Sequence, residues 1–206
     1  MCRFFETIKC EDGKLQLIDF HNERLMLTQS HFFGTKSSIN LQEIITIPCD
    51  LKTGIVKVRV EYSKFIENIS FEQYQIKNHN KLKLIFSDHI SYPYKYIDRQ
   101  ALNEFLIDNE EFDDVIFIKN KELTDTSYTN IALFKNNTWY TPETPLFSGV
   151  KRRLLIENQT LIPETIKLED MSSFQKIAFI NAMRDFEKIY TFVVDQENTI
   201  HLCQIN

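Results

Sequence analysis

Apolar residues along the chain recur at two periods, and each change of period marks an element. RFFETIKC (3–10) and LQLI (15–18) read as two strands joined at Asp12-Gly13, a dipeptide suited to the positive φ angles of a tight antiparallel turn. DFHNERLMLTQSHFFG (19–34) moves to helical spacing, with Asp19 as the expected cap and Gly34 as the stop. SINLQEIIT (38–46) predicts a short second helix capped by Ser38 or Asn40. GIVKVRVEYS (54–63), FEQYQI (71–76) and KLKLIFSD (81–88) predict strands that complete a small sheet with helices on one side.

Beyond residue 91 the pattern becomes richer in strands. DRQALNEFLIDNE (98–110) predicts a helix capped by Asp98, and DDVIFIKNKELTDT (113–126) a strand and a lysine-rich turn. NIALFKNNTWYTP (130–142) predicts a hairpin across Asn136-Asn137. FSGVKRRLLIEN (147–158) predicts a loop at Gly149 that opens a short helix, whose first amides are suited to an anion. A strand, a helical turn and a buried strand ending at 181–183 follow, then a last hairpin over 189–205. The fold class expected is α+β in two domains: a small α+β domain over 1–88 and a larger, strand-rich α/β domain over 89–206. Lys95 lies near the junction, a favoured place for ligand pockets.

Composition narrows the function. With 43% hydrophobic and 26% charged residues the chain is an ordinary folding sequence, and a net charge of -5 argues against general affinity for nucleic acid. No apolar run approaches the ~18 residues of a membrane span. The opening residues read as strand rather than as a secretory leader, so a soluble, cytoplasmic protein is expected. Cys2, Cys10, Cys49 and Cys203 show no C-x-x-C spacing and are expected to be reduced. The five histidines show no metal-ligand spacing, so no metal site is expected. Only Gly13, Gly34, Gly54 and Gly149 occur, which excludes a Walker loop and a G-x-G-x-x-G turn.

What remains is YPYKYIDRQAL (92–102), one lysine among three tyrosines just before a helix. A surface lysine would extend into water. A lysine in an apolar, tyrosine-lined pocket would instead present a neutral amine, the nucleophile that carbonyl chemistry needs.

Four segments, in order, resemble the class IV aminotransferase family, the fold type IV pyridoxal phosphate enzymes with the D-amino acid aminotransferase-like architecture. FFETIKCEDGKLQLIDFHNERL is similar to the family's F-E-T strand, D-G turn and H-x-x-R-L helix. YKYIDR is similar to a lysine followed four residues later by arginine, here Lys95 and Arg99, in the family's lyase branch. LTDTSYTNIALFKNNTWYTP resembles the T-E-x-x-x-x-N strand and its hairpin, with Asp125 where the family usually has glutamate. PLFSGVKR and INAM resemble the G-[IV]-x-R phosphate loop and the small polar segment that closes the phosphate cup. The family's preceding strand and D-x-G-x-x-x-G-D loop have no counterpart, because the chain starts almost at the F-E strand.

The resemblance implies pyridoxal 5'-phosphate as cofactor, with Lys95 as its Schiff-base lysine and the catalytic residue. It implies that Arg24 holds the phosphate with Gly149, Val150 and Lys151, that Arg152 takes the loop's arginine position, and that Asn181 and Ala182 close the cup. Asp125 and Asn130 belong to the cofactor set. These types suit the task. An arginine fork and helix-start amides hold a phosphate, and a carboxylate keeps a pyridine nitrogen protonated. Thr7 and Arg59, on adjacent strands, are weaker candidates for substrate contact, with strand-face packing as the alternative. The activity implied is that of 4-amino-4-deoxychorismate lyase, which makes 4-aminobenzoate and pyruvate for folate synthesis. The alternatives are a class IV aminotransferase acting on D-amino or branched-chain amino acids, and a catalytically silent binding protein of the same fold. The implied partners are a small-molecule amine substrate and a second copy in a homodimer, with no nucleic acid and no membrane.

Overall fold

A computed structural model describes residues 2–35, 38–184, 186 and 188–205. The chain divides into two compact units, Met1–Ile76 with Tyr94–Asp98, and Lys77–Pro93 with Arg99–Asn206. This partition differs from a boundary at residue 88. The 81–86 strand belongs to the second unit, and the Lys95 segment belongs to the first. Alternation identifies a strand but does not name its partner, which is why its sheet was misplaced.

In the first unit, β1 (Phe4–Glu11), β2 (Lys14–Leu15), α1 (Ile18–Phe33), α2 (Leu41–Ile44), β3 (Ile55–Tyr62) and β4 (Ile66–Gln73) follow in order. The antiparallel sheet runs β2-β1-β3-β4. Asp12 and Gly13 both take positive φ, as the hairpin requires. Helix α1 begins after Leu17 in a left-handed conformation, and the expected cap Asp19 lies within the first turn, where its charge suits the helix dipole. Gly34 ends the helix with φ 63°, and Asn40 caps α2 by accepting from the Gln42 amide. One face of the sheet, carrying Phe4, Ile8, Cys10, Val56, Val58, Val60 and Tyr62, packs with Leu25 and Leu41 into a core. Burying each large apolar side chain there contributes roughly 1.5–3 kcal/mol.

The 94–98 segment is stitched to the first strand of this sheet. Phe5 N donates to Lys95 O at 2.9 Å, Ile97 N donates to Arg3 O at 2.9 Å, and Phe4 bridges Tyr96. Tyr94 and Tyr96 pack against the Phe4 core, so Lys95 between them is turned to the other face.

The second unit holds β5 (Lys81–Phe86), α3 (Gln100–Ile107), β6 (Asp114–Lys119), β7 (Glu122–Thr126), β8 (Asn130–Lys135) and β9 (Thr138–Pro142). After these come α4 (Val150–Glu157), β10 (Ile162–Glu164), β11 (Lys176–Ile180), β12 (Ile189–Val194) and β13 (Thr199–Ile205). Among the described residues these strands order as β10-β9-β8-β11-β12-β13-β5-β6-β7, and β7 also pairs with β8, closing the sheet on itself. Leu82, Ile116, Ile131, Leu133, Ile177, Phe179 and Ile200 fill its core. Arg99, not Asp98, is the N-cap of α3, and its side chain makes no capping bond. No described helix is long and apolar enough to cross a membrane.

Candidate active site

In the first unit, Glu6 is fully buried on β1 and aims at α1. Arg24 Nε donates to Glu6 Oε1 at 2.9 Å, Arg24 Nη2 donates to Glu6 Oε2, and His21 Nδ1 lies 2.6 Å from the same Oε2. His21 and Arg24 are three residues apart on one helix face, so both reach the same acid. Burial alone would raise the Glu6 carboxyl, but Arg24 and His21 outweigh it and hold it down at about 2. Burial pushes the His21 imidazole down, against the pull of Glu6.

Thr7 and Arg59 are paired across β1 and β3 on the face opposite Glu6. Arg59 Nε donates to Glu61 at 2.7 Å, and its guanidinium lies 3.9 Å from the Phe5 ring centre. Lys95 Nζ lies 4.7 Å from the same ring centre. Arg59 and Lys95 thus meet at the Phe5 ring, and the Lys95 charge also reaches His21 beside Arg24.

In the second unit the candidates converge on Asn130. Asn130 stands opposite Asp125 between β8 and β7, and its Nδ2 donates to Asp125 Oδ1 at 2.8 Å and to Phe147 O at 2.7 Å. The Phe147 amide donates to Asp125 Oδ2 at 2.9 Å. The Gly149 amide donates to Asn130 Oδ1 at 3.2 Å. Burial pushes the Asp125 carboxyl up to about 7, against the lowering effects of Asn130, Phe147 and Arg152. On the neighbouring strand Ile180 pairs with Asn130, which places the Asn181-Ala182 turn beside the same residue.

Gly149 is the N-cap of α4, which starts at Val150 and Lys151. A Cβ at Gly149 would lie 2.2 Å from Asn130 Oδ1. Gly149→Ala must push Asn130 away and is expected to destabilise the protein by about 1–3 kcal/mol. A urea midpoint unchanged from wild type would contradict this. Arg152, expected to take the loop's arginine position, is buried and donates to Thr141 Oγ1 at 3.2 Å and to Pro142 O at 2.7 Å, tying α4 to β9.

A second polar cluster, in which His79 and Arg184 are buried, fixes the 181–184 turn. Arg184 donates through Nη1 to His79 Nδ1 at 3.2 Å and through Nη2 to Tyr128 Oη at 3.1 Å and Lys77 O at 2.9 Å. His79 Nε2 lies 2.7 Å from Tyr128 Oη. Burial, and then Arg184, push His79 down to about 4. His79 therefore favours folding fully above about pH 6.5 and loses that contribution as pH falls through 4, a change of about 3 kcal/mol. The stability difference between wild type and His79→Gln is expected to shrink from pH 7 to pH 4 in denaturant titrations. Asp125 titrates in part of that range with opposite sign but is common to both proteins and cancels.

The sequence reading did not assign roles to Glu6, His21, His79, Tyr128 or Arg184. An acid on the otherwise apolar face of β1, among Phe4, Ile8 and Cys10, with His-x-x-Arg on the next helix, was the available signal for the first two. The others are brought together from three separated segments.

These side chains suit a phosphorylated, cationic aromatic ring. Gly149 packs its backbone against Asn130 where α4 begins, the first turn of α4 supplies backbone amides, and Asp125 is a buried acid that gains from a positive partner. The family model for amino-transferase class IV matches residues 95–189. An uncharacterized protein of Haemophilus influenzae is 33% identical over 186 residues, covering 89% of this chain and 98% of that protein. A solved structure from Haemophilus somnus 129pt, provisionally named a 4-amino-4-deoxychorismate lyase, is 32% identical, with a TM-score of 0.82 over 89% of this chain and 97% of that one.

The chain belongs to the class IV aminotransferase family.

It shares the fold with more distant members, such as a hypothetical aminotransferase of Mycobacterium tuberculosis in its PLP-bound form. That structure is 14% identical, with a TM-score of 0.71 over 88% of this chain and 78% of that one. The fold is the type IV, α+β architecture, and the chain is an enzyme of this family, a lyase or an aminotransferase.

Proposed function

We propose that this enzyme is a pyridoxal phosphate-dependent lyase that converts 4-amino-4-deoxychorismate to 4-aminobenzoate and pyruvate. The observation that carries the choice of lyase is the likeness, along nearly the full length of both chains, to the Haemophilus somnus protein. When bound, pyridoxal phosphate supplies a ring that accepts electrons from the carbon bearing the substrate amine.

The chain's own residues supply the rest. Lys95 would hold the cofactor through its aldehyde, and its amine would serve as the base and acid that moves a proton at the substrate carbon bearing the amine. Asp125 would hold the ring nitrogen in its protonated form; burial raises its proton affinity against the lowering effects of Asn130, Phe147 and Arg152. Arg24 and the amides of Val150 and Lys151 bind the phosphate, with Gly149 giving close approach and Asn181 and Ala182 closing the cup. Asn130 keeps Asp125 and the Gly149 loop in register. Thr7 and Arg59 are proposed to meet the substrate, Arg59 through a carboxylate. A homodimer in the cytoplasm is part of the same proposal, and sedimentation tests its stoichiometry.

Supplying 4-amino-4-deoxychorismate is expected to release 4-aminobenzoate and pyruvate in equal amounts. Amino acids with 2-oxoglutarate are expected to give negligible turnover. Turnover of the amino acids alone would replace the lyase reading with an aminotransferase.

A further inference from the structure

Arg24 is held with more care than a surface ion pair needs. Both Glu6 carboxylate oxygens are used: Oε1 by Arg24 Nε, and Oε2 jointly by Arg24 Nη2 and His21 Nδ1. Glu6 and His21 have no exposed side-chain surface, whereas 18% of the Arg24 side chain is exposed. A buried ion pair of this kind contributes little net stability compared with apolar packing, because both charges must be stripped of water. Its clear geometric effect is orientation. A fork bound through Nε and Nη2 fixes the guanidinium plane and directs Nη1 and the outer Nη2 hydrogen away from Glu6. His21 limits the carboxylate in turn, since a shared Oε2 cannot rotate without breaking a buried hydrogen bond.

We propose that Glu6 and His21 are positioning residues that aim the Arg24 guanidinium at the cofactor phosphate. The proposal rests on the reading of Arg24 as a phosphate ligand. It makes a prediction that a packing role does not: loss of aim should be felt by the phosphate and not by the ring. Removing the Glu6 charge without a role in aim would do the reverse, since the Arg24 charge would no longer be offset by its carboxylate and would attract phosphate more strongly.

The test titrates the full chain, freed of cofactor, with pyridoxal phosphate and with pyridoxal, the same ring without phosphate, and reads both Kd values from protein fluorescence. Glu6→Gln is expected to weaken pyridoxal phosphate by about tenfold while leaving pyridoxal within about twofold. His21→Asn, which keeps the Glu6–Arg24 fork, is expected to give a selective loss of about threefold. If Glu6→Gln does not fold, as judged by circular dichroism, His21→Asn decides by the same criterion. Equal losses for the two ligands, no loss, or tighter pyridoxal phosphate binding would overturn the proposal. Arg24→Gln separates the two levels of the argument. If it discriminates the ligands and the other variants do not, only the positioning role falls. If Arg24→Gln does not discriminate them, the phosphate reading of Arg24 falls and the positioning role falls with it.

Discussion

Lys95→Ala is expected to lower turnover by about 10²–10⁴-fold, the usual contribution of a proton-transferring side chain, and to abolish the visible absorbance of the bound cofactor. The expectation is specific to the side chain because the backbone around it is tied down independently. The Lys95 carbonyl accepts from the Phe5 amide, and Tyr94 and Tyr96 remain packed against the Phe4 core on either side. The truncation also removes a cation 4.7 Å from the Phe5 ring centre, an interaction worth about 0.5–1 kcal/mol. Thermal unfolding of the cofactor-free variant should therefore match wild type closely. Retained turnover in a folded Lys95→Ala protein would remove Lys95 from the mechanism. Unfolding of the variant would instead mark Lys95 as structural.

Asp125→Asn is expected to cost about 10²–10⁴-fold in turnover, the equivalent of breaking one partner of a buried charge pair at about 3–5 kcal/mol. Its signature should also appear in stability. The Asp125 carboxyl rises from 3.8 to about 7 on folding because burial disfavours its charge. Folding thus favours the protonated form, so the favourable contribution is present below pH 3.8 and is lost as pH rises through 7, by about 4 kcal/mol in the cofactor-free protein. A cationic ring partner offsets that loss. Adding pyridoxal phosphate should therefore raise the Tm of wild type more at pH 8 than at pH 5, after subtraction of the same difference measured in Asp125→Asn. Identical pH dependence in the two proteins would show that Asp125 does not face a charged group.

Much of this protein is legible from spacing. Asp12-Gly13 and Asn136-Asn137 marked their hairpins because tight turns demand positive φ, and Gly34 marked the end of α1 for the same reason. The ordered segments around Arg24, Lys95, Asp125 and Gly149 identified the family, since a cofactor site fixes residue types at set distances from strand and helix ends. Other features depend on partners that are remote in the chain. Strand β5 pairs with β6 and β13, across intervals that periodicity does not describe, and so belongs to the second unit rather than the first. Asp19 and Asp98 looked like caps, but the chain enters α1 through Leu17 and α3 through Arg99, and backbone direction decides a cap where residue type only permits it.

The sequence by itself determined the elements, the family and the residue types available for chemistry, because these follow from local conformational preference and from a motif's order. Only the tertiary structure decided that Glu6, held in turn by His21, clasps Arg24, that Asn130 links Asp125 to Gly149, and that Arg184 locks the turn after Asn181 to His79 and Tyr128. Each of these is a buried or partly buried polar contact between different elements. Its strength comes from the exclusion of water, which arises only once the chain has folded.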